Sequence, residues 1–170
     1  MPTHSVLGED HTPVDDLHCV GLLLYRHNRH GKPEILVRSK PYAREPVYSC
    51  PRQEPQPDDT AIDCVRRAAW LSLRANIPES ELDYRNSTVI ENHGEQVKIR
   101  VFIVKVFPEI APDIEFVTGV PELRGWKYEF LPPSDLECVY FHQHIGVTRV
   151  ALDHTKFVIK GLSADATEEP

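Results

Sequence analysis

Arginine is the side chain here with the most chemistry to offer. Its planar guanidinium presents a fixed fork of donors that grips a phosphate or a carboxylate through two bonds at once. Arg38, Arg44, Arg52, Arg66, Arg67 and Arg100, with Lys40, form a candidate phosphate-holding set. The plainer alternative is a scatter of solvated charges balanced by neighbours such as Asp58, Asp59 and Asp63. Tyr42, Tyr48, Trp70 and Trp126 offer flat faces to a nucleobase or a partner protein. Stacking on such a face is worth roughly 1–3 kcal/mol per base. Ordinary packing is the competing expectation for each of them. Trp70 with Leu71 or Leu73 would also make a helix face apolar enough to receive a partner.

Other chemistries are set aside. His142 and His144 would share one side of a strand but lack an obvious third ligand, so no metal site is expected there. The chain has no G-x-S-x-G elbow, no P-loop and no glycine-rich dinucleotide fingerprint. Cys19, Cys50, Cys64 and Cys138 are widely spaced, without a C-x-x-C pair, and read as buried reduced thiols. The Asn86-Ser-Thr88 sequon has no consequence without a secretion signal.

The elements that must position these residues follow from periodicity and punctuation. His18 to Arg26 is a continuous apolar run of strand length, and Glu34 to Ser39 is a second. The polar loop His27 to Pro33, turning at Gly31, makes them a hairpin. Tyr42 to Asp59 is proline-rich and reads as an irregular connector. Asp58 or Asp59 is expected to cap a helix in which Ala61, Cys64, Val65, Ala68, Leu71 and Ser72 recur at helical spacing. It should end near Ala75 to Pro78. Ser87 to Glu91 and Val97 to Phe107 read as strands around an Asn-His-Gly turn, the second with Val97, Ile99, Val101 and Ile103 on an apolar face. Glu115 to Thr118 and Leu123 to Phe130 are expected as further strands, and Pro133 to Cys138 as a short helix start. Gly146 to Leu162 has the apolar spacing of a closing amphipathic helix.

Strand, strand, helix, strands, helix is the pattern of an α/β fold with a mixed sheet packed against helices. At 170 residues the chain suits one domain. We expect a flexible N-terminal segment over 1–16, a single domain over 17–162 and a flexible acidic tail over 163–170. No apolar run is long enough to span a bilayer, and the first residues lack a targeting pattern, so a cytoplasmic or nuclear location without a membrane partner is expected. A net charge of −7 argues against strong non-specific nucleic-acid binding while leaving room for a local basic groove.

Most of the chain, from about His18 to Leu162, resembles the Nudix hydrolases in architecture, with features nearest the dinucleoside tetraphosphate hydrolase branch. The resemblance is carried by the hairpin of Cys19 to Arg26 with Glu34 to Arg38, and by Tyr48-Ser-Cys-Pro-Arg52, where that branch has an aromatic followed by Pro-Lys-Gly. The helix from Asp59 to Ala75 falls where the Nudix helix belongs, and Leu123-Arg-Gly-Trp-Lys127 is similar to a late Trp-bearing strand. The family's helix carries the run R-E-U-x-E-E-x-G-U, with U apolar, and its glutamates hold a divalent metal near a pyrophosphate. If Arg66 takes the motif's arginine, then Arg67, Trp70 and Leu71 fall on the glutamate positions. If Asn76-Ile77 takes the terminal Gly-U, then Trp70, Leu73 and Arg74 do. Hard cations need oxygen ligands, preferably anionic, and neither register supplies them.

The resemblance with its glutamates missing therefore points away from catalysis. It implies a Nudix-like mixed sheet sandwiched between helices, serving as a non-catalytic binding or adaptor protein. The arginines would gather around the inherited cleft for a nucleotide or RNA phosphate, with no cofactor, and Trp70 would face a partner protein. The Nudix subunit of the mRNA cleavage factor, which binds RNA without hydrolysing it, is a family precedent. Two rivals remain. One is an active pyrophosphohydrolase holding magnesium through Glu54, Asp58, Glu91 or Glu95. The other is a purely structural protein-interaction subunit, with a homodimer as one form it could take.

Overall fold

Cys19 to Leu24 are buried without alternation, which is the mark of a strand covered on both faces. In the computed structural model, which describes residues 17–92, 97–136, 138–140 and 149–151, this run opens β1 (Cys19–His27). The other strands are β2 (Pro33–Ser39), β3 (Arg52–Gln53), β4 (Ser87–Asn92), β5 (Val97–Lys105), β6 (Lys127–Leu131), β7 (Cys138–Tyr140) and β8 (Arg149–Ala151). Helix α1 spans Ala61–Leu73 and α2 spans Ala111–Gly119. The ladder runs β4-β5-β1-β2-β6, with β3 on β1, forming a mixed six-stranded sheet; β7 and β8 pair separately. The α/β class expected from element order is the class observed.

The chain divides into two compact units, with β1 running from one into the other. The first holds residues 17–22, 51–92 and 97–104 of those described. In it β3 pairs antiparallel with β1, matching Val20 to Gln53, and β4 pairs with β5 from Ser87↔Phe102 to Asn92↔Val97. Helix α1 packs against β3. Ala61, Cys64, Val65, Ala68, Ala69 and Leu73 form its buried side. The start of α1 departs from expectation, while its end falls close to the expected place. Thr60, not Asp58 or Asp59, is the N-cap: its hydroxyl accepts from the Asp63 amide while the Asp63 carboxylate accepts from the Thr60 amide, a full capping box. Leu71 is on the outside, and the helix stops at Arg74 in the left-handed conformation, φ 54°. In β5, Phe102 and Val104 are buried as well as Ile99, Val101 and Ile103, so its second half is covered on both faces.

The second unit holds residues 23–50, 105–136, 138–140 and 149–151 of those described. β1 pairs antiparallel with β2 (Tyr25↔Ile35), the intervening loop turning at Gly31 with φ 74°, and β2 pairs with β6 (Ile35↔Leu131 to Ser39↔Lys127). Glu115 to Thr118 is helical rather than a strand. Ile110, Ile114 and Val117 are buried at spacings of four and three, Pro112 sits in the first turn where its missing N–H costs nothing, and α2 packs against β6. Pro133–Asp135 makes a single 3-10 turn. Arg149–Ala151 is a strand paired with β7, not part of a closing helix; the remainder of that expected helix, the turn at 93–96, and His142 and His144 lie outside the described residues. Among the described residues no helix is long and apolar enough to cross a membrane.

Candidate functional site

Along one side of α1 run Asp63, Arg67, Trp70 and Leu71, Arg67 half-buried and the others exposed, with exposed Arg74 continuing the line. Steps of four, three, one and three residues put them on one stripe of a helix. Asp63 is engaged in the capping box, and it is the only carboxylate in the helix. Arg67 grips Asp59, its two guanidinium nitrogens donating to Oδ2 and Oδ1 at 2.7 and 3.2 Å, and it also donates to the Glu54 carbonyl at 3.0 Å. The guanidinium beside Asp59 holds that carboxyl below the usual aspartate range, and the Arg67 pKa rises in return. The backbone makes this possible: Asp58 adopts φ 67°, and the Asp59 carboxylate also accepts from the Gln56 amide at 2.7 Å. The fork expected to face a phosphate thus holds a carboxylate of its own chain.

Arg66 donates from Nε to the Ile77 carbonyl at 2.8 Å, tying down the chain after the helix. Arg100 donates to the Ser87 hydroxyl at 2.7 Å and lies 4.5 Å from the Tyr84 ring centroid. Arg52 sits in β3 opposite Gly21. Arg66, Arg67 and Arg100 thus each bond a group of their own unit. Trp70 and Leu71 are 50% and 44% exposed, and the Arg74 guanidinium lies 5.3 Å from the centre of the Trp70 ring. Leu73 is 1% exposed, so the register that assigns it a glutamate position would put a metal ligand in the core. The Arg67, Trp70, Leu71 register keeps all its positions on the outer stripe. Arg74 was not singled out in the phosphate set, although its place four residues after Trp70 is the signal that it would reach that ring.

The second unit gathers a different group. Arg38 is buried between two partners directly across its strand, Ser49 on one side and Tyr128 on the other. Its Nε donates to the Ser49 hydroxyl at 3.3 Å and one terminal nitrogen donates to the Tyr128 hydroxyl at 3.4 Å. Two-residue spacing puts Tyr128 and Phe130 on one face of β6, and Trp126 stands immediately before the strand. Cations meet both outer rings: Arg38 at 4.4 Å and Lys40 at 4.0 Å from Trp126, and Arg26 at 3.8 Å from Phe130. The tight turn Leu123 to Trp126 presents this indole, with Arg124 and Gly125 both at positive φ. Tyr48 is half-buried, and burial, reinforced by the negative charges of Glu129 and Asp135, pushes its hydroxyl pKa up. Tyr42, 91% exposed, and Arg44 stand in the connector.

Among the described residues, no group of three His, Cys, Asp or Glu is placed to hold a metal ion. Glu54 and Asp58 are exposed, while the Glu91 side chain and Glu95 lie outside the described residues. Cys19, Cys50 and Cys64 are buried thiols in no disulfide.

No family model matches this chain. No curated protein matches it either. Solved structures do. A MutT/nudix family protein from Listeria innocua is 17% identical, covering 90% of this chain and 96% of its own, with a TM-score of 0.57. A MutT/nudix family protein from Enterococcus faecalis is 14% identical, covering 86% of this chain and 61% of its own, with a TM-score of 0.51. The Ap4A hydrolase of C. elegans, 12% identical over 88% of this chain and 93% of its own, has a TM-score of 0.48, too low a likeness to choose a branch. The fold of the chain is the Nudix fold.

Proposed function

We propose that this Nudix-fold chain is a binding subunit that does not hydrolyse a pyrophosphate. The observation carrying that reading is the outer stripe of α1. Its single carboxylate, Asp63, is locked in the N-cap, Arg67 is tied to Asp59, and Trp70 and Leu71 occupy the rest. A magnesium ion, which the fold family implies, needs several oxygen ligands, and this donor set of guanidinium, indole and alkyl does not fit it. Without a bound cation to activate water and neutralise the phosphates, the stripe has recognition to offer and no chemistry.

The direct test incubates the purified chain with magnesium and diadenosine tetraphosphate. The expected result is no nucleotide released above the protein-free control, and no rise in melting temperature when the metal is added. Magnesium-dependent turnover approaching roughly 1 s⁻¹, the low end of ordinary enzyme rates, would end the proposal.

A second reading concerns a nucleotide or RNA phosphate in the other unit. Lys40, exposed and 4.0 Å from the Trp126 ring, favours it by pairing a cation with an aromatic face. Nucleotide titration followed by Trp fluorescence, in wild type and Lys40→Ala, separates this site from the α1 stripe.

A further inference from the structure

We infer that the stripe around Trp70, Leu71 and Arg74 docks a segment of a partner protein carrying a carboxylate beside an apolar side chain. This deepens the non-hydrolytic reading and rests on it. Two adjacent large apolar side chains stand out of the helix, with Trp70 half exposed. Trp and Arg are the residue types over-represented among the energetically dominant positions of protein interfaces. Arg74 adds a charge that no carboxylate among the described residues is seen to pair with. It is exposed, its guanidinium lies against Trp70, and it makes no ion pair among the described residues. The carboxylates at the other end of the stripe are engaged, Asp59 with Arg67 and Asp63 with the helix cap.

The patch is therefore apolar and locally positive on a chain whose net charge is −7. Charge complementarity selects its occupant. An extended polyanion such as RNA needs many cations, and this patch offers one unpaired cation on an acidic molecule. An acidic, apolar protein segment satisfies both halves of the patch: its side chain packs on Trp70 and Leu71 while its carboxylate pairs with Arg74.

The test uses a fluorescein-labelled peptide with Glu and Leu at helical spacing, and a control with Lys in place of every Glu. Fluorescence polarisation should detect the acidic peptide, with affinity falling as salt is raised, and little of the basic one. Trp70→Ala and Arg74→Glu should each weaken binding by about tenfold or more, with helix content by circular dichroism unchanged. Arg74→Glu should also transfer preference to the basic peptide. Equal binding of both peptides, no binding of the acidic one, or unchanged affinity in both variants overturns the proposal. So does binding of an RNA oligonucleotide that these substitutions abolish, or a dimer by sedimentation that Trp70→Ala dissolves. The hydrolysis assay on the same preparations keeps the two levels apart. A flat titration without turnover removes the docking surface alone, while magnesium-dependent turnover removes the reading beneath it.

Discussion

Arg67 and Asp59 are eight residues apart, and their two bonds link the helix to the turn that precedes it. Their side chains are 22% and 11% exposed, so the pair is shielded from water more than a surface ion pair is. Replacing Asp59 by Asn would leave a part-buried guanidinium without its counter-charge, at a cost of about 2–3 kcal/mol near neutral pH. The folded carboxyl titrates below its ordinary 3.8 because Arg67 favours the ionised form. A depressed folded pKa gives stability that is complete above the unfolded value and is lost as pH falls through the folded one. Urea denaturation should therefore show a large gap between wild type and Asp59→Asn at pH 7, narrowing in acid; a pH-independent gap would contradict the ion pair. The sequence discloses that α1 has arginine where a Nudix helix has acid, since that is a matter of residue type. It does not disclose what the arginine holds, because the partner depends on a left-handed Asp58 that turns Asp59 back toward the helix. The same limit applies to Arg38, whose neighbours Ser49 and Tyr128 are set by strand register rather than by proximity in the chain.

At the level of elements, the end of α1 is set by backbone geometry. A non-glycine residue in the left-handed region costs roughly 1 kcal/mol, and glycine is the usual choice at such a helix end. Arg74→Gly is expected to raise stability by about 0.5–1 kcal/mol after losing an exposed cation–ring contact. The same substitution should weaken the acidic peptide. Melting temperature and peptide affinity moving in opposite directions would show that the strained position is kept for recognition; both falling together would assign it to stability. Elements with strong local signals were legible: the uninterrupted apolar run of β1, the β2 that follows Gly31, and the period of α1. The misreadings have physical causes. Glu115 to Thr118 has the composition of a short strand, while the helical signal of α2 lies in Ile110, Ile114 and Val117, only one full spacing longer. Residues 149–151 pair with β7, and pairing with that neighbouring strand overrides local helical spacing. Thr60 won the cap over two aspartates because Asp63 could complete the reciprocal box.

Across the whole molecule, fold class was the most legible property, because the order of strands and helices prunes the possible architectures severely. Solved structures sharing only 14% and 17% identity have the same fold, so it tolerates nearly complete change of side chains. The interior nevertheless retains a set of internal probes. Cys19, Cys50 and Cys64 are wholly enclosed, and burial pushes the Cys50 and Cys64 thiols up to about 12, where almost no thiolate exists at neutral pH. An alkylating reagent can reach them only when the surrounding structure opens. Cys64 lies in the first unit and Cys50 in the second, so each reports on a different half of the chain. Peptide-resolved mass spectrometry after timed alkylation should find all three unmodified in native buffer and rapidly labelled in urea. If Cys50 and Cys64 acquire label at the same rate under mild denaturant, the two halves breathe as one cooperative body; unequal rates would mean that one can open while the other stays shut.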